Sequence, residues 1–108
     1  MFHEWRELKL RLDALRISQL EKALGGVSPL VVFQRSQETM PPLSDLLLIL
    51  HYSLIAYNHS KKMEDTYVIY DNFVAEGGDV SQLIMVLIEV FKVSGLIPKD
   101  VDADKVKE

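Results

Sequence analysis

Residues 43–58 read LSDLLLILHYSLIAYN. At about 100° per residue, Leu46, Leu47, Leu48, Ile49, Leu50, Leu54, Ile55 and Ala56 scatter over the whole helical wheel instead of gathering on one side. A surface helix keeps a polar face, whereas one that is apolar all round must be enclosed by its neighbours. The segment is therefore expected to be the central helix of a mainly helical domain. Ser44, His51 and Asn58 recur every seven positions and leave it one narrow polar seam.

Upstream, Met40-Pro41-Pro42 marks where that helix begins, and the polar, aperiodic run QRSQET (34–39) reads as a loop. Ser28-Pro29 is a start signal, with Ser28 as N-cap and Pro29 at the first helical position, for a helix of about two turns. Asp13 can cap a helix reaching about Leu24, with Ala14, Ile17, Leu20 and Leu24 on one face and Gly25 beyond its end. Before it, Leu8, Leu10 and Leu12 alternate with Lys9 and Arg11, the period of two of a half-buried strand. A short strand at residues 2–5 could pair with it as a hairpin.

Downstream, a helix from about Met63 to Glu76 carries Met63, Tyr67, Tyr70 and Val74 at heptad-like spacing, with Phe73 alongside. Glu64 and Asp65 suit the positive end of its dipole, and Gly77-Gly78 ends it. Asp79 then caps a last helix from Val80 to Ser94, stopped by Gly95 with Pro98 beyond. The expected fold is mainly α (α+β): an N-terminal strand or hairpin and about five helices in one compact domain, residues 1–97, with residues 98–108 a flexible tail.

The whole chain has 108 residues and no cysteine, which removes disulfides, thiolate metal sites and cysteine nucleophiles. Its 48% hydrophobic and 26% charged residues are those of a globular domain. The charged N-terminus and the brevity of the apolar run at 46–50 predict a soluble intracellular protein without a signal peptide or membrane span. The net charge is −4, and residues 63–91 hold six acids and no Lys or Arg. Binding nucleic acid takes clustered bases, so this distribution argues against such a partner.

Little in the chain suggests catalysis. His51 and His59 are eight apart rather than at the i, i+4 spacing that lets two imidazoles share a zinc. Ser53 lies two positions from His51, which puts the two on different helix faces. Glu64, Asp65 and Asp79 mark helix starts, and both Gly-Gly pairs follow a helix rather than precede one as a phosphate loop does. Trp5 and Tyr57 read as core or rim. No catalytic, cofactor-binding or metal-binding residue is expected, and the chain is read as a non-enzyme.

The last helix carries more apolar surface than a simple core requires. Val80, Leu83, Ile84, Leu87, Ile88 and Phe91 form an ordinary buried stripe. Val86, Val90 and Val93 widen it to an arc of about 220°, and Met85 interrupts the polar side, where a surface helix needs roughly 100°. Either the helix is deeply packed, or the surplus flank of Met85, Val86, Val90 and Val93 meets another copy or a partner helix.

The order and spacing of these segments resemble the small tail assembly chaperones of long-tailed phages and prophages, especially those of Gram-positive hosts. The matching pieces are LKLRL (8–12), LEKALGG (20–26) followed by SPL (28–30), LLLILHYSLIAYNH (46–59), MEDTYVIYDNFVAEGG (63–78) and VLIEVFKVSG (86–95). Lys62 departs from the family, which typically has a small polar cap before Met63. The resemblance implies a protein that binds the tape measure protein and keeps it soluble. It also implies that tail tube subunits are helped to assemble around that chain, in the host cytoplasm, by a chaperone absent from the mature virion. In relatives a ribosomal frameshift adds a C-terminal extension that contacts the tail tube protein. The residues themselves leave two other classes open. One is a structural tail or neck subunit retained in the virion. The other is a small helical transcriptional regulator, which would need the basic recognition helix this chain lacks.

Overall fold

The structure is a computed structural model that describes residues 9–35 and 39–98. Five helices follow one another among the described residues: α1 (Ala14–Ala23), α2 (Pro29–Arg35), α3 (Leu43–Ile55), α4 (Met63–Ala75) and α5 (Val80–Val93). The expected central helix is α3, against which α1, α4 and α5 all pack. Leu46, Leu47, Ile49, Leu50 and Leu54 are buried on an arc of about 160°, and Leu48, Tyr52, Ile55 and Ala56 on the other side are half-buried. One continuous core joins Leu46, Leu47, Ile49 and Leu50 to Leu12, Leu20, Phe33, Phe73, Leu87 and Phe91. Phe33 of α2 meets Phe91 of α5 edge to face, with ring centroids 4.8 Å apart. None of the described helices is long and apolar enough to cross a membrane.

The helix ends follow local chemistry. Asp13 accepts the Arg16 amide at 2.8 Å, and the chain leaves α1 through Gly25 at φ 79°. Asp79 and Gln82 exchange side chain-to-backbone hydrogen bonds, a reciprocal capping box opening α5. Lys62 offers no side-chain cap to α4. Instead Asp65, in the first turn, reaches back and accepts the Lys62 amide at 2.8 Å. The cap missing at Lys62 is thus partly supplied from inside the helix. Gly77 and Gly78 close α4, and a Cβ on Gly78 would lie 2.5 Å from the Phe73 ring.

The N-terminal strand is not seen: no strand occurs among the described residues, and the proposed partner at residues 2–5 lies outside them. Residues 10–12 are nonetheless placed as their alternation suggested. Leu12 is 1% exposed, Leu10 half-buried, and Lys9 and Arg11 face out. Their amides go to helix ends rather than to a ladder. The Arg11 amide donates to the Ser53 carbonyl at 3.1 Å and the Leu12 amide to Ser94 Oγ at 2.8 Å. Period two reports which side of an extended chain is buried, and these residues bury it against α3 and α5 without a second strand. The tail from residue 99 onward lies outside the described residues.

Candidate functional site

The polar side chains nearest to chemistry are engaged in holding the helices. His51 Nδ1 lies 3.0 Å from Thr66 Oγ1, joining α3 to α4 across a half-buried contact. Burial lowers the His51 pKa, and the nearby Asp65 carboxylate opposes that shift. Ser53 is fully buried and donates to the Ile49 carbonyl at 2.7 Å, a bond within its own helix. His59 Nδ1 faces the Arg16 guanidinium at 3.5 Å; because guanidinium can only donate, this nitrogen is the acceptor. Among the described residues no group of three or more His, Cys, Asp or Glu is placed to hold a metal ion.

The flank anticipated on α5 divides. Met85 (47% exposed) and Val93 (51%) lie at the surface, Val86 is half-buried, and Val90 (4%) belongs to the core. Burial of Val90 shows that part of the wide apolar arc serves deep packing. The exposed members also sit in different surroundings. Met85 and Val86 border a shallow depression with Phe73, Glu76 and the Gly77-Gly78 turn. Val93 instead borders Leu10 and Tyr57, with Lys9 and Arg11 beside them.

A second apolar surface lies on α4, where Met63 and Tyr70 of the heptad-like row pack against the core while Tyr67 and Val74 stay exposed. The side chains that α4 buries are Thr66, Ile69 and Phe73. Tyr67 (47% exposed), Val68 (56%) and Val74 point outward. Between α3 and α4 runs a groove of about 410 Å³ walled by Leu43, Leu47, Tyr67 and Tyr70, with Ser44 and Asp71 at its polar edge. Leu43 is itself exposed, as is Met40 just before α3. The hint in the sequence was the excess of apolar positions on α4 over what one face can bury. His51 opposite Thr66 decides which face that is.

Isolated apolar side chains on a surface are ordinary, but contiguous ones rimmed by polar groups mark binding sites. The α3–α4 groove meets that description, with Ser44 and Asp71 at its edge and Glu64 one turn from Tyr67 on the same face, whereas Val68 stands apart beyond the acids. Compared with known proteins, the chain matches no family model, no curated protein and no solved structure.

Proposed function

We propose that this chain is a tail assembly chaperone of a long-tailed phage or prophage. It binds the tape measure protein, keeps it soluble and promotes assembly of tail tube subunits around it. It acts in the host cytoplasm, self-associates, makes or breaks no bond, and leaves no copy in the mature virion. The observation that supports this reading best is the apolar surface left outside a well-formed core, on α4 (Tyr67, Val68, Val74) and on α5 (Met85, Val93). Apolar surface removed from water stabilises a complex by roughly 25 cal/mol per Å², so such faces can shield the stripes of a long helical partner. Many weak copies along one chain add up through effective concentration, and no single contact need be tight.

This reading requires a very long helical product, the tape measure protein, encoded beside this chain, and the test is co-expression with it. That product should move from the insoluble to the soluble fraction, and particles purified afterwards should lack this chain by mass spectrometry. An unchanged insoluble fraction would overturn the chaperone reading. Stoichiometric recovery in particles would instead make the chain a structural tail or neck subunit.

A further inference from the structure

The outer face of α4 combines three features: a groove, a stripe and a charge. The groove is walled by Leu43, Leu47, Tyr67 and Tyr70. Along the groove Tyr67, Tyr70 and Val74 form a row at i, i+3 and i+7, two helical turns or about 10 Å at ~1.5 Å per residue, while exposed Val68 lies about 100° from Tyr67 on the far side of the acids. The charge comes from Glu64 and Asp71, one turn to either side of Tyr67 and Val68 on the same exposed face. Neither acid forms an ion pair among the described residues. Residues 63–91 hold no Lys or Arg, so the nearest bases in sequence are Lys61 and Lys62, at the start of α4 beside Glu64 and more than two turns from Asp71.

From this we infer that the α3–α4 groove is a docking site for an amphipathic helix whose apolar stripe is flanked by Lys or Arg. The inference rests on the reading of this chain as a protein carrier and adds the chemistry of its cargo. A row of side chains at i, i+3 and i+7 (Tyr67, Tyr70, Val74) beside an interhelical groove suits a second helix laid into it by its own i, i+3/i+4, i+7 side chains. No strand edge is offered among the described residues to an extended peptide. Carboxylates bordering an apolar face reward cationic flanks and penalise anionic ones. The same charge sets this face against an anionic bilayer, which attracts basic amphipathic surfaces instead. It also opposes a symmetric pairing of the face with itself, because a two-fold contact would bring Glu64 and Asp71 towards their own copies.

The test uses two dye-labelled synthetic helical peptides of about 22 residues, long enough to hold helix in water. They share one Leu stripe and differ in carrying Lys or Glu at every flanking position. By fluorescence anisotropy with the full chain, the Lys peptide should bind at least about tenfold more tightly than its twin near 50 mM salt. The gap should narrow as salt shortens the screening length. Glu64→Gln with Asp71→Asn should remove most of the preference while both peptides still bind. Leu43→Ser with Tyr67→Ser, at two exposed positions, should weaken both peptides, whereas Met85→Ser with Val93→Ser should leave them unchanged; circular dichroism confirms that each variant is folded. Equal affinity for the two peptides, no binding of either, or binding lost only through the α5 variant would overturn the inference. So would self-association abolished by Leu43→Ser with Tyr67→Ser, or capture by phosphatidylserine vesicles. Solubility rescue of the long tail product without a charge preference would defeat this inference and spare the chaperone reading. A charge preference without rescue would do the reverse.

Discussion

His51 and Gly78 are the residues whose local physics has the clearest measurable outcome. His51 is held neutral where α3 meets α4, its pKa below the ordinary 6.5 because burial outweighs the pull of Asp65. The unfolded chain therefore takes up a proton at this site before the folded one does. The stability that depends on neutral His51 is full above about pH 6.5 and declines as pH falls towards and through the lowered folded pKa. Thermal melts at pH 8 and pH 5 should show a larger loss of Tm for the native chain than for His51→Gln, which keeps a polar partner for Thr66. Equal losses would remove His51 from the account. Gly78 is constrained by shape rather than charge, since a methyl there would meet the buried Phe73 ring at 2.5 Å. Gly78→Ala should destabilise by about 1–3 kcal/mol, the usual range for overpacking, measured by urea denaturation.

Among the elements, α4 is the most exposed to error in reading and to damage by mutation. Its start lacks a side-chain cap at Lys62 and relies on Asp65 accepting the Lys62 amide. Asp65→Ala removes both that acceptor and a negative charge near the positive helix end. A loss of about 0.5–2 kcal/mol is expected in chemical denaturation, with the frayed first turn visible as faster amide exchange. Sequence made α3 legible because an all-round apolar segment has only one place to go. It made the starts of α1 and α5 legible because Asp13 and Asp79 are strong local caps. The phase of α4 was partly legible: Met63 and Tyr70 of its heptad-like row pack against the core beside Phe73, but Tyr67 and Val74 are exposed and Ile69, outside that row, is buried. Only the neighbour carrying His51 selects between these positions. The same holds for residues 10–12, whose alternation encodes a buried side but not whether a strand or two helix ends will take its amides. The α5 flank was half legible: Met85 and Val93 are exposed, while Val90 is taken up by a core whose depth no single helix reveals.

On the scale of the whole molecule, the five helices of the described residues leave little interior for the apolar residues they carry, and some of that surface remains outside. Association through α5 can be separated from folding at the two positions where the side chains are half exposed. Met85→Glu with Val93→Glu should leave the helical circular dichroism signal intact while lowering the sedimentation coefficient of any self-associated species to that of a monomer. A double variant that still self-associates would assign that contact to another face. One hydrogen bond spans most of the described residues, from the Leu12 amide to Ser94 Oγ, 82 positions apart. A truncation that stops short of Ser94 therefore removes the partner of the Leu12 amide and leaves residues 11–12 tied only through the Arg11 amide to the Ser53 carbonyl and the burial of Leu12. Damage at either margin of the helical array is felt at both, and trimming the protein from one side is not a local operation.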